Sequence, residues 1–139
     1  MYMIQYLLQI FFIITSFDIW FYYSHVLLHS HFYHIHKIHH EPNYLTLHWA
    51  DTYKAHVLET PFQSIGFLFP YLFIRFNTYV FIFSVLYLNV RGTLRHDIRF
   101  TKFVGNHHLL HHKYLVYNYG EYWIDKLFNT NFSAENNNI

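Results

Sequence analysis

Three groups of histidines carry the chemistry open to this sequence: His25 and His29 in H-V-L-L-H, His36, His39 and His40 in H-K-I-H-H, and His108, His111 and His112 in H-L-L-H-H. Each group uses spacings of three or four. On a helix of about 3.6 residues per turn such positions share a face, so each group aims two or three imidazoles at one point. Imidazole is the commonest metal ligand among side chains. Eight of them exceed the four positions of one tetrahedral zinc, and two metal ions are the natural count. Zinc, copper, iron and nickel all accept imidazole, so the residue types leave the metal open. Two further histidines have useful neighbours: His56 lies in A-H-V-L-E with Glu59 one turn on, and His96 directly precedes Asp97. Both are counted as ligands, with Glu59 and Asp97 as carboxylates behind them. Asp18, Tyr22, His25 and His29 form one helical stripe, which places Asp18 to accept the N–H that a metal leaves free on a ligand histidine. His31, His34, His48 and His107 have no such pattern and are read as packing residues.

The elements that must position these groups are apolar. The chain has 139 residues, enough for one domain and no internal division; residues 1–132 are read as that domain and the Asn-rich 133–139 as a disordered polar tail. Charged residues are 12% of the sequence where a soluble domain carries roughly 25%, and aromatics reach 24%. Nine Lys and Arg against eight Asp and Glu leave a formal charge of +1, no field to hold a nucleic acid, and none is expected as a partner. The absence of cysteine excludes disulfide scaffolds, cysteine-ligated clusters and thiol nucleophiles.

Met1 to Tyr23 is long and apolar enough to cross a hydrocarbon core, and it has neither the basic start nor the small-residue cleavage site of a signal peptide. A second apolar region, Pro61 to Val90, is divided by Arg75, Phe76 and Asn77. A single crossing would bury Arg75 near mid-bilayer, at a cost of ~3 kcal/mol or more, so a helical hairpin that leaves by the face it entered is expected. Lys37, Lys54, Arg91, Arg95, Arg99 and Lys102 then mark the cytosolic side. The expected fold is all-α: an integral membrane helical protein with a cytosolic, histidine-rich helical cap.

The runs Asp18–His29, Phe32–Glu41, Tyr53–Glu59 and His107–Thr130, the last with Asn118-Tyr119-Gly120 and W-I-D-K-L-F-N-T, resemble the sterol desaturase/fatty acid hydroxylase superfamily. The doubled His107-His108 and A-H-V-L-E-T look most like its C-4 methylsterol oxidase branch. The resemblance implies a membrane-bound dimetal oxygenase. Its metals would be iron, with zinc possible, and it would use dioxygen and two electrons to hydroxylate or desaturate a lipid, either a sterol or a fatty acyl chain. It also implies an endoplasmic reticulum location in a eukaryotic cell or host and, with no cytochrome b5 domain fused here, a separate electron donor such as cytochrome b5 or a reductase. The sequence departs from the family pattern at Val26 (usually Arg), Val57 (usually Pro) and Leu109 (usually Asp), and the His29–His36 gap is two residues short. Leu109 implies the loss of a carboxylate behind the third box, and the short gap implies a second box rotated against the first. The alternative reading is a catalytically degenerate membrane metal-binding protein or a zinc-dependent hydrolase, although no H-E-x-x-H pattern is present to supply a base for metal-activated water.

Overall fold

From Tyr2 to Ser30 the chain is one helix, α1, with no glycine or proline to interrupt it. The computed structural model describes residues 2–133. It is helical throughout, with no strand among the described residues; the expected tail, beyond Ser133, lies outside them. At about 1.5 Å per residue α1 is ~43 Å long, and among the described residues it is the one helix long and apolar enough to cross a membrane. The one-turn α2 (Tyr33–His36) follows, and then a non-helical stretch with a 3-10 turn at Trp49–Tyr53.

The Pro61–Val90 region is a hairpin. α3 (Glu59–Leu68) runs into a 3-10 turn, Phe69–Leu72, and α4 (Thr78–Arg95) returns alongside. Asn77 caps α4, its Oδ1 accepting from the Tyr79 N–H at 2.9 Å, while its own N–H donates to Gln9 Oε1 at 3.2 Å. The tip of the hairpin is therefore level with Gln9 on α1. Both legs pack on α1. Gly66 permits the close approach of α3, because a Cβ there would sit 2.9 Å from Trp20 Cδ1. Trp20 Nε1 donates to Phe62 O at 3.0 Å, and Phe17 stacks on Phe67 with ring centroids 4.4 Å apart. Val80, Ser84 and Leu88 are the buried face of α4, and Ile13 is buried on α1. The outer faces remain apolar and open, with Leu8, Phe11, Leu68, Phe73, Phe83 and Leu86 all exposed, a surface of the kind that marks contact with a membrane or another protein.

Beyond α4 come a 3-10 turn (Ile98–Phe100), α5 (Thr101–Val104), a turn at Gly105 with φ +75°, α6 (His107–Tyr114) and α7 (Tyr122–Leu127). The segment joining α6 to α7 runs back beneath α1 and approaches it closely at Gly120, where a Cβ would come within 3.1 Å of the Tyr22 side chain.

Candidate metal centre

The hairpin brings the histidines together. α1 delivers His25 and His29 at its end, α3 begins beside them at Glu59, and α4 finishes beside them at Arg95, so that His96 enters the same space. Nine imidazoles fall into two groups, His25, His29, His36, His40 and His111 in one and His39, His96, His108 and His112 in the other. Within each group the donor nitrogens lie within 4.8 Å of one another. The second and third boxes each feed both groups instead of aiming at one point: the turns of Lys37–His40 send His39 to one group and His36 and His40 to the other, and α6 sends His111 to the first group and His108 and His112 to the second. The short His29–His36 gap does not part the boxes, since His25 Nε2 is 2.9 Å from His36 Nε2.

The outer nitrogens are held from behind. His25 Nδ1 donates to Tyr119 O at 2.5 Å, His111 Nδ1 to Tyr117 O at 2.6 Å, His39 Nδ1 to Lys54 O at 3.2 Å and His96 Nδ1 to Gly92 O at 2.9 Å. His36 Nδ1 donates to Glu59 Oε1 at 2.9 Å. A neutral imidazole that donates from Nδ1 carries a bare lone pair on Nε2. Yet the Nε2 atoms of His25 and His36 are 2.9 Å apart, as are those of His39 and His96. Lone pairs that face each other at hydrogen-bond distance repel unless a cation lies between them. His112 has both ring nitrogens buried without a partner, and unpaired buried polar atoms carry a desolvation cost that a metal would remove. The residues therefore fit metal ions.

The edges of the donor set, 2.9 to 3.1 Å for the His25–His36, His36–His40, His40–His29 and His29–His111 pairs, carry further information. For a metal–nitrogen bond of about 2.1 Å, ligands at right angles are about 3.0 Å apart and tetrahedral ones about 3.4 Å apart. The observed spacing is that of right angles.

Three expected site residues sit elsewhere. His56 reaches neither group; its Nδ1 accepts from the Leu58 N–H at 3.2 Å and shapes the turn into α3. Asp18 does not orient a histidine. Seven residues of helix place it about 10 Å along the axis from His25, and its carboxylate instead takes both guanidinium branches of Arg91, with Glu121 joining Arg91 and Arg95. Asp97 accepts from the Arg99 side chain at 2.8 and 2.5 Å and from the Trp49 N–H at 3.3 Å; adjacent residues do not face one way, so it never meets the ring of His96. The Arg99 guanidinium holds the Asp97 carboxyl well below the usual carboxylate range. His31 and His34 are exposed, and His48 caps the Trp49–Tyr53 turn. His107, read as packing, donates from Nε2 to Asp125 Oδ2 at 2.9 Å. Leu109 is buried, and behind α6 it is the Tyr117 carbonyl that holds a ring nitrogen, that of His111. Asp125 is not singled out by spacing; its signal is a lone acid among Trp123, Ile124, Leu127 and Phe128.

Burial sets the protonation of the cap. It pushes His36 and His96 down to about 4 and His39 to about 3, with neighbouring imidazoles adding to the effect on His39 and the Arg95 charge and His36 adding to it on His96. His40, His108, His111 and His112 are also held well below the ordinary imidazole value, chiefly through burial. Such rings are neutral at pH 7, the form a metal requires. As pH falls below about 6.5 the unfolded chain takes up protons that the folded rings refuse, so stability rises with pH through this window and is lost on acidification. His36 alone, moved from 6.5 to about 4, is worth on the order of 3 kcal/mol. Burial also pushes Glu59 up to about 7, which works in the opposite sense between about 4.5 and 7, but it is one group against several. The metal-free protein is expected to lose thermal stability steadily from pH 6.5 to pH 4, by calorimetry or helical circular dichroism. A flat profile would show that the imidazoles are not desolvated as described.

A cavity of about 190 Å³ opens between α1, α3 and α4, walled by Phe17, Phe21, Phe67 and Leu88 and reaching His25, His36, His39, His96 and His108 at its inner end. Comparison with curated proteins and with solved structures found no significant match. A family model described as fatty acid hydroxylase matches residues 10–130, a span that takes in all nine clustered histidines, the cavity and the hairpin, and the chain belongs to the fatty acid hydroxylase family.

Proposed function

We propose that the protein is a membrane-bound, dimetal lipid hydroxylase or desaturase that uses dioxygen and two electrons. The observation that carries this reading is the pair of facing Nε2 lone pairs, His25 against His36 and His39 against His96, beside an apolar cavity. Right-angled donor spacing suits a five- or six-coordinate ion better than a tetrahedral structural zinc, and iron is the proposed metal. Two irons there would supply the activated oxygen needed to break an unactivated C–H bond, chemistry no side chain can perform.

The chain's own residues do the placing. Phe17, Phe21, Phe67 and Leu88 hold an apolar substrate segment and exclude water from the inner end of the cavity, while the carbonyls of Tyr117, Tyr119, Lys54 and Gly92 fix which nitrogen of each imidazole faces inward. α1 spans the bilayer, the hairpin is embedded from the cytosolic side, and the histidine cap faces the cytosol, where a separate donor such as cytochrome b5 or a reductase delivers electrons. In a eukaryotic cell that membrane is the endoplasmic reticulum. The C-4 methylsterol oxidase branch rests on the sequence resemblance alone.

Protein purified without oxygen is expected to hold two metal ions per chain by elemental analysis, and to form an oxidised product from a fatty acyl or sterol substrate once dioxygen and a reductant are added. A reproducible content below one metal per chain, with every histidine in place, would falsify the dimetal reading.

A further inference from the structure

Asp125 is fully buried, and its carboxylate accepts four hydrogen bonds. Oδ1 takes the Tyr119 N–H at 2.9 Å and the Thr130 hydroxyl at 2.7 Å, and Oδ2 takes the Gly120 N–H and His107 Nε2–H, each at 2.9 Å. Its backbone carbonyl also accepts the Thr130 N–H at 2.8 Å. These partners enclose the segment from Tyr117 to Gly120. Asn118, held at φ +59°, closes the same loop: its side chain donates to His107 O at 2.9 Å and its N–H donates to Thr130 O at 2.8 Å. The loop's outward product is two carbonyls, Tyr117 O and Tyr119 O, which hold the Nδ1–H of His111 and His25. Both of those rings belong to the five-histidine group. In the four-histidine group, His39 and His96 are held by Lys54 O and Gly92 O, which Asp125 does not touch.

We propose that Asp125 is a positioning residue for one metal of the pair: through the Tyr117–Gly120 loop it selects the inward-facing nitrogen of His25 and His111, and so governs the five-histidine site and not its neighbour. The inference rests on the dimetal reading above. Asn at position 125 keeps the shape of the side chain but offers one acceptor where two are used, and it sets an N–H₂ against either Tyr119 or Gly120 N–H. The loop must then shift, and the two imidazoles lose their acceptors together.

The test uses full-length protein stripped of metal and reloaded with Zn²⁺, counted by elemental analysis after desalting. Wild type is expected to bind two ions, Asp125→Asn one, His96→Ala one, and the double variant none. Fewer than two ions in wild type would defeat the dimetal reading itself. Two ions bound as tightly by Asp125→Asn as by wild type, or both ions lost together, would overturn the positioning role; a merely structural part would weaken the two sites alike. If Asp125→Asn fails to fold by circular dichroism, Thr130→Val removes a single bond to the carboxylate. It is expected to weaken one of the two sites by about tenfold, and equal weakening of both sites, or none, would overturn the proposal.

Discussion

His39→Ala and His111→Ala are each expected to abolish turnover and to remove one metal ion, whereas His48→Ala is expected to keep most of both. The reason is position within the two donor groups. His111 belongs to the five-histidine group, with Nδ1 held by Tyr117 O and Nε2 3.1 Å from that of His29. His39 belongs to the other group, held by Lys54 O, with its Nε2 2.9 Å from that of His96. Losing a residue behind a ligand already costs about 10–100-fold in metal affinity or activity, so loss of the ligand itself should cost more than about a hundredfold. Cleavage of an unactivated C–H bond by the pair should then fall below detection. His48 lies outside both groups; its Nδ1 accepts from the Ala50 N–H at 3.4 Å at the start of one 3-10 turn, and deletion costs about 1 kcal/mol as the loss of a cap. Elemental analysis and product formation by mass spectrometry, run on all three variants, decide the matter. Equal damage from all three would mean that the groups are wrongly drawn.

What the sequence discloses about this site follows from which forces are local. Spacings of three and four put His25 with His29, and His108 with His111 and His112, on helices, and α1 and α6 are helices, but only His25 and His29 serve one donor group; α6 divides its three rings between the two. Arg75-Phe76-Asn77 marked the turn of the hairpin, because a charge and a capping Asn interrupt an apolar run, and the turn lies there. The division into five and four was not legible. It depends on the chain unwinding after α2, which sends His39 to one group and His40 to the other, and on α6 lying between the groups, with His111 in the first and His108 and His112 in the second. Nor were the acceptors behind the rings legible, since most are backbone carbonyls and every residue has one. Carboxylates are the acceptors that residue types advertise, and of Asp18, Glu59 and Asp97 only Glu59 touches a clustered imidazole. Asp18 finds a different partner from the one its stripe suggests, because periodicity along one helix says nothing of Arg91, brought across from α4 by packing.

Lys37 and Lys102 should prove to be on the same side of the membrane, and Met3 on the other. The chain contains no cysteine, so Lys37→Cys, Lys102→Cys and Met3→Cys each create a single site for a membrane-impermeant maleimide, and all three positions are exposed. The reason is geometric. Between Gln9, which meets the hairpin tip, and His25, which meets the histidine cap, α1 rises by about 24 Å, most of a hydrocarbon core of about 30 Å. The remaining turns of α1 before Gln9 carry its start to the opposite interface, while α3 and α4 begin and end beside the imidazoles. In sealed vesicles with the cytosolic face outward, the cysteines at 37 and 102 are expected to react fully and the one at 3 only after detergent is added. The loops on either side of the hairpin must share a face because His39, before it, meets His96, after it, at 2.9 Å. Labelling of positions 37 and 102 from opposite faces would separate these two rings by a bilayer, and no dimetal site, and no oxidation at it, could be assembled from them.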